Sequence, residues 1–286
     1  MCYKSGYCHN VDKKARVEAA MKKVGIMGLG NMGEAIARAL LTGGLSTSEI
    51  LFFEIKPARM KAVIDSYGIG AASNPAELAA QCDYIILAVK PQEAKGAISA
   101  IAPSVGEAST IISIMAGVTT SSIISMLQRP AKVVRIMPNI GVTVGQGALG
   151  MSANYLLSQD EVRSVASFLA PLGRIIEVAE EQMDAVTALS GSGPAFFLAF
   201  FEAMIDGGVK MGLPRDKAYD LAFQTITGTC AMLEKERMHP ALMREMVTSP
   251  GGTTIAGLVV LDEKGFRGTV VRALEAAQAR ARELSR

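Results

Sequence analysis

Residues Lys23-Val-Gly-Ile-Met-Gly-Leu-Gly-Asn-Met-Gly-Glu-Ala-Ile-Ala37 decide the fold. An apolar run leads into glycines at Gly28, Gly30 and Gly33, and a helical pattern follows through Ile36, Leu40 and Leu41. This is the G-x-G-x-x-G spacing of a strand–turn–helix unit that binds a dinucleotide, and each glycine has a separate task. Gly28 permits the tight turn out of the strand. Gly30 lets the backbone approach a pyrophosphate, because no Cβ stands in the way. Gly33 lets the helix pack close to the sheet. The helix opens at Asn31 and Met32, where unpaired N–H groups and a partial positive charge favour phosphate. A glycine-rich turn that binds nothing is the plain alternative. The flanking strand and helix patterns argue against it.

Composition narrows the class. The chain has 286 residues, enough for two domains, and is 50% hydrophobic and 20% charged. Mean hydropathy is +0.29. The richest apolar run, residues 194–205, contains Glu202 and falls short of the about 20 residues that a spanning helix needs. The apolar excess is therefore read as a subunit interface and not as a membrane segment. A formal net charge of +2 with interspersed signs and no Trp gives neither the basic patch nor the stacking platform of a nucleic-acid binder. Cys2, Cys8, Cys82 and Cys230 have no metal-ligand spacing, so no metal is expected and a reduced, cytoplasmic location is. Residues 1–20, with His9, lack the apolar core of a signal peptide and read as a disordered extension before a start at Met21.

Strands and helices alternate over residues 21–180. Ile50-Leu-Phe-Phe, Tyr84-Ile-Ile-Leu, Thr110-Ile-Ile-Ser and Lys132-Val-Val-Arg-Ile-Met are continuous apolar runs, as buried parallel strands require. A segment near residues 145–151 and Arg174-Ile-Ile-Glu-Val complete the strand set. Asn74-Pro75-Ala-Glu77, Thr119 and Ser158-Gln-Asp-Glu161 carry helix-capping chemistry. The result is an α/β Rossmann domain, an open and mostly parallel sheet with helices on both faces. Ligands in such sheets sit beyond the carboxyl ends of the strands. Candidate cofactor contacts are therefore Gly28–Gly33, Glu54, Val89, Lys90, Pro91, Ala116, Gly117 and Asn139. Glu54 lies about 20 residues beyond the last glycine, where a carboxylate accepts hydrogen bonds from the adenosine ribose and repels a 2′-phosphate. Lys56 and Arg59 follow closely and could instead pair with that phosphate, so both NADH and NADPH stay open.

Residues 181–286 read as all-α. Helices are expected at residues 183–189, 194–211, 215–237, 240–247, 253–263 and 267–284. Several are apolar on more than one face, which calls for burial against a second copy. Within them, Ser249-Pro250-Gly251-Gly252-Thr253-Thr254 forms a second glycine-rich entry to a helix N-terminus, suited to an anion such as a carboxylate. Ser249, Thr253 and Thr254 add hydroxyls. An ordinary capped helix after a Pro-Gly turn explains the same residues without a ligand. The histidines are His9 and His239, and His239 has no carboxylate partner in its neighbourhood of the sequence. The chemistry is thus left to a dinucleotide: hydride transfer to a substrate that needs little acid–base help, such as an iminium.

The chain resembles the pyrroline-5-carboxylate reductase family of proline synthesis over essentially all of residues 21–286. The resemblance rests on Ala88-Val-Lys-Pro-Gln92, Arg135-Ile-Met-Pro-Asn139, Ala188-Leu-Ser-Gly-Ser-Gly-Pro-Ala195, Gly212-Leu-Pro-Arg215 and Ser249-Pro-Gly-Gly-Thr-Thr254. It implies NADPH- or NADH-dependent reduction of the C=N bond of 1-pyrroline-5-carboxylate to L-proline. It also implies a helical dimerisation domain, with dimers that assemble into decamers. Ser249, Gly251 and Gly252 would hold the substrate carboxylate. Thr254 matches the family threonine that hydrogen-bonds the ring nitrogen, with Thr253 as the alternative. The nicotinamide would lie near Val89, Lys90, Pro91, Ala116 and Asn139. This sequence departs from the family at Ile140-Gly141, where Thr-Pro is frequent, and at Glu54, where small polar or basic residues are frequent.

Two other classes share parts of this pattern. The β-hydroxyacid dehydrogenases share the two-part plan and resemble the Gly191-Ser-Gly193 region, but they place a lysine four residues after the second of these glycines. Here that residue is Phe197, which cannot transfer a proton. A non-catalytic dinucleotide sensor would tolerate a degraded second glycine loop, and Ser249–Thr254 is intact.

Overall fold

The computed structural model describes residues 22–284. The extension expected at residues 1–20, with Cys2, Cys8 and His9, lies outside the described residues. The described residues of 22–191 and 280–284 form one compact unit, and Ser192–Ala279 form the other.

The first unit is built on an eight-stranded sheet. Its strands are β1 Val24–Met27, β2 Ile50–Phe53, β3 Gly70–Ala71, β4 Tyr84–Leu87, β5 Thr110–Ser113, β6 Lys132–Met137, β7 Gly147–Ala153 and β8 Gly173–Glu177. Their spatial order is β3-β2-β1-β4-β5-β6-β7-β8. The first six run parallel, β7 is antiparallel to β6, and β8 is parallel to β7. The chain reverses its direction of winding between β1 and β4, the switch point where doubly wound sheets take a dinucleotide.

Helices cover both faces. They are α1 Asn31–Thr42, α2 Pro57–Tyr67, α3 Pro75–Gln81, α4 Ala94–Ile101, α5 Thr120–Leu127, α6 Gln159–Leu169 and the short α7 Met183–Val186. Strand side chains alternate between faces, and this alternation divides the core in two. Val24, Ile26, Ile86, Ile112 and Val134 pack with Ile36 and Leu40 of α1, Val63 of α2 and Val165 and Leu169 of α6. Met27, Ile85, Leu87, Ile111 and Val133 pack with Leu78 of α3, Ile98 and Ile101 of α4 and Ile123 and Leu127 of α5. The caps form as their sequences require: Asn74 accepts from the Glu77 N–H, Thr119 from the Ser122 N–H and Ser158 from the Glu161 N–H.

The structure adds α2 and β3, which the sequence pattern does not announce. Helix α2 starts at a proline between charged residues, and β3 is only two residues long. Strand β7 begins and ends two residues later than expected because Gly145 is a left-handed turn residue, φ 68°, ahead of it. The compact first unit also runs past residue 180 to Gly191. Here α7 packs on β7, where a Cβ on Gly150 would stand 2.5 Å from the Val186 side chain, and a Cβ on Gly191, in the π-helical turn Thr187–Gly191, would stand 3.1 Å from the Met137 side chain of β6.

The second unit is entirely helical among its described elements: α8 Gly193–Lys210, α9 Arg215–Glu236, α10 Pro240–Met246, α11 Thr253–Glu263 and α12 Phe266–Leu284, whose last residues join the first unit. Its own core is thin: Ile205, Ala218 and Ala222, with Phe201 and Val209 against them. Phe197, Leu198, Leu221, Phe223, Val260 and Val271 are exposed. The helical stretch Glu180–Lys210, continuous through the π turn, is 31 residues long and is long and apolar enough, by length and composition, to cross a membrane. The apolar run of residues 194–205 is only part of this stretch, and Pro194, where it begins, stands in the first turn of α8.

Candidate dinucleotide and substrate sites

Because β1, β2, β4, β5 and β6 are parallel, their carboxyl ends lie along one edge of the sheet. That edge brings together the segments that follow them: Gly28–Gly33, Glu54–Lys56, Val89–Pro91, Ala116–Gly117 and Asn139. Each segment owes its course to a local constraint.

The glycine turn shows three different constraints. Gly28 has φ 88° and passes so near β4 that a Cβ would lie 2.9 Å from the Ala88 carbonyl oxygen. A Cβ on Gly33 would stand 2.2 Å from the Gly28 carbonyl oxygen, so α1 can rest on the turn only without a side chain there. Gly30 has φ −64°, which any residue can adopt, and a Cβ would meet nothing within 4 Å. The fold has no need of glycine at this position, whereas a phosphate approaching the N-terminus of α1 does. No side chain caps α1. Asn31 is exposed and Met32 half-buried on its first turn. The turn thus fits a dinucleotide pyrophosphate.

Behind the turn lies a polar network that no short motif announces. Glu54 is buried at the end of β2, and its carboxylate accepts from the Leu29 N–H at 2.9 Å and from the Lys56 N–H at 3.0 Å. Arg59 Nε, in α2, donates to the Leu29 carbonyl at 2.8 Å, and its guanidinium also pairs with Glu34 of α1. The other Glu34 oxygen accepts the Tyr67 hydroxyl at 2.8 Å, and this bond raises the Tyr67 pKa. Both polar groups of the Leu29 backbone are therefore held by charged side chains. Lys56 is exposed. The sequence does not single out Glu34 or Tyr67, since partners 25 and 33 positions apart leave no periodic signal.

On the far strands, Gly117 turns at φ 77° between β5 and α5. Lys90 is exposed, while Val89, Pro91 and Ala116 are half-buried. Asn139 Oδ1 accepts from the Gly141 N–H at 3.1 Å and the Ala148 N–H at 3.2 Å, folding the loop back toward β7. Gly141 suits that loop, because a Cβ there would stand 2.6 Å from the Gln146 carbonyl oxygen.

In the second unit, Ser249–Thr254 forms the entry to α11. Gly251 adopts φ 66°, Gly252 is the N-cap, and the Gly252 N–H donates to the Ser249 carbonyl at 3.1 Å. No side chain caps the helix. A Cβ on Gly251 would meet nothing within 4 Å. Ser249, Gly251 and Thr253 are exposed, and Gly252 and Thr254 are half-buried. The arrangement presents first-turn N–H groups to an anion.

A doubly wound sheet with a glycine turn at its switch point, joined to a helical unit, defines an NAD(P)-dependent oxidoreductase of the Rossmann type. Comparison with known proteins goes further. Residues 180–284 match the family described as pyrroline-5-carboxylate reductase dimerisation, and residues 23–117 match the family described as NADP oxidoreductase, coenzyme F420-dependent. A pyrroline-5-carboxylate reductase of Arabidopsis thaliana is 36% identical over 94% of this chain and 98% of its own length. One from Escherichia coli is 36% identical over 93% and 99%. The crystal structure of a Plasmodium falciparum pyrroline carboxylate reductase with NADP bound superposes with TM-score 0.83 at 32% identity, over 93% of this chain and 98% of that one. The Coxiella burnetii enzyme gives TM-score 0.87 at 31% identity. The chain belongs to the pyrroline-5-carboxylate reductase family.

Proposed function

We propose that the protein reduces the C=N bond of 1-pyrroline-5-carboxylate to L-proline, with NADPH or NADH as hydride donor. The observation that carries this reading is the uncapped N-terminus of α11 behind Gly251 and Gly252, in a chain whose other unit is shaped for a dinucleotide. When bound, the reduced nicotinamide supplies a hydride to the electrophilic imine carbon. The chain's own residues bind, orient and neutralise. The first-turn N–H groups of α11 and the Ser249 hydroxyl donate to the substrate carboxylate. The Thr254 hydroxyl accepts the N–H of the protonated imine, fixing the face offered to the hydride, and Thr253 is the alternative partner. Gly28–Gly33, with Asn31 and Met32, cradle the pyrophosphate. Val89, Lys90, Pro91, Ala116, Gly117 and Asn139 border the nicotinamide, and Glu54 and Lys56 stand by the adenosine ribose.

We place the enzyme in the cytoplasm, a reading supported by the free thiols of Cys82 and Cys230. Copies pair through the helical unit, and the family resemblance extends this to decamers. Pairing gives the exposed apolar residues of Glu180–Lys210 a protein partner in place of lipid.

The test is an assay of purified protein with 1-pyrroline-5-carboxylate and each cofactor, following dinucleotide oxidation and proline formation. Turnover is expected, and none with either cofactor at saturating substrate refutes the reading. In the same assay Thr254→Ala should lower kcat by roughly one to three orders of magnitude, as for loss of one positioned hydrogen bond. A full rate in Thr254→Ala and a loss in Thr253→Ala would move the role to Thr253.

A further inference from the structure

The polar network behind the glycine turn bears on which dinucleotide the first unit accepts. In sheets of this order the residues just after β2 meet the adenosine ribose. A carboxylate there accepts the ribose hydroxyl, and an arginine nearby accommodates a 2′-phosphate. Both kinds of group are present, as Glu54 and Arg59, and the structure shows how each is engaged. Arg59 is held at both ends, by the Leu29 carbonyl and by Glu34, and Glu34 is itself anchored by the Tyr67 hydroxyl. Its charge is already balanced. Glu54 accepts one backbone N–H on each carboxylate oxygen, and each oxygen has a further lone pair for a ribose hydroxyl. An incoming 2′-phosphate would meet the carboxylates of Glu34 and Glu54 against the cations of Arg59 and Lys56, with no net positive charge to receive it.

We propose that the Glu34–Arg59 pair is a specificity determinant that withholds this guanidinium from a 2′-phosphate, so that the enzyme prefers NADH. The inference rests on the first unit being the cofactor unit of the proposed reductase. A phosphate gains strongly from a fork-shaped guanidinium only if the fork is available, and here it is spent on a neighbouring helix.

Calorimetric titration of the full chain with NADH and with NADPH tests this without reference to turnover. The unsubstituted protein should bind NADH about tenfold or more tightly than NADPH. Glu34→Gln keeps an acceptor for Tyr67 but removes the competing charge, and should shift the ratio of dissociation constants toward NADPH by roughly tenfold. Adding Arg59→Ala to Glu34→Gln should abolish that gain. Tyr67→Phe, which loosens the network without freeing Arg59, should leave the ratio in place. Arg59→Ala alone supplies an independent check should Glu34→Gln fail to fold. It should weaken NADPH no more than NADH, and a selective loss of NADPH would show that Arg59 already serves the phosphate. Tighter binding of NADPH by the unsubstituted protein, or an unmoved ratio in Glu34→Gln, overturns the inference and leaves the reductase reading intact. Failure of both dinucleotides to bind overturns both.

Discussion

Gly30 and Gly33 stand three positions apart and answer to different constraints. Gly33 is dictated by packing, since its Cβ would overlap the Gly28 carbonyl. Gly33→Ala is expected to destabilise the protein by about 3 kcal/mol, as overpacking at a backbone contact does, read from urea unfolding. Gly30 faces open space in an ordinary conformation. Gly30→Ala should cost at most about 1 kcal/mol, the difference between glycine and alanine at an uncapped helix start. It should nonetheless weaken dinucleotide binding by roughly tenfold or more, through the methyl group placed at the phosphates. If Gly30→Ala binds both dinucleotides as the unsubstituted protein does, the pyrophosphate does not lie there. The motif identifies both glycines by spacing alone. Only the surroundings of each Cβ separate the glycine the fold needs from the one the ligand needs.

At the scale of elements, the carboxylate of Glu180 joins three parts of the first unit. It stands just after β8 and accepts from the Thr120 N–H at 2.7 Å, from the Thr120 hydroxyl at 2.6 Å and from Arg135 of β6 at 2.9 Å. It thereby offers negative charge to the N-terminus of α5, where such charge is favourable. Burial works against its ionised form, but the bonds from Thr120 and Arg135 outweigh this and leave its pKa lowered. A depressed carboxyl pKa contributes stability that is complete above the unfolded value of about 4.3 and is lost as pH falls through the folded value. Glu180→Gln should cost about 2 kcal/mol at pH 7, as for weakening hydrogen bonds to a charged group, since Arg135 is buried but Glu180 only half-buried. The deficit should shrink below about pH 4, where glutamate also loses its charge. Urea unfolding at both pH values measures it, and a pH-independent deficit would make packing the cause. Helix caps such as Ser158 with Glu161 were legible because partners three residues apart leave a local pattern. The Glu180 clamp was not, because Thr120 and Arg135 lie 60 and 45 positions away.

At the scale of the molecule, the helical unit leaves many large apolar side chains exposed and buries few, and its match to a dimerisation family accounts for that. Phe223→Asp and Val260→Asp each put a charge on this exposed surface. Each should dissociate the assembly by an order of magnitude or more in protomer concentration, at roughly the cost of desolvating a charge at an interface core. Sedimentation velocity checks this and also separates dimer from decamer. Variants that sediment like the unsubstituted protein would remove these positions from the interface.

The sequence by itself determined the doubly wound sheet, both glycine-rich helix starts and the helical character of the second half. Each of these is written in short-range terms: apolar runs the length of a strand, glycines at fixed spacing, capping residues three apart. It also carried the family resemblance, which the comparisons bear out. Tertiary structure alone decided the two-residue strand β3, the reversal of β7, the attachment of residues 183–191 to the first unit and the partners of Glu34, Glu54, Arg59 and Glu180. The physical reason is the same in each case. A charge or a short strand is defined by what it meets across the fold, and that meeting depends on how the sheet has brought distant segments together.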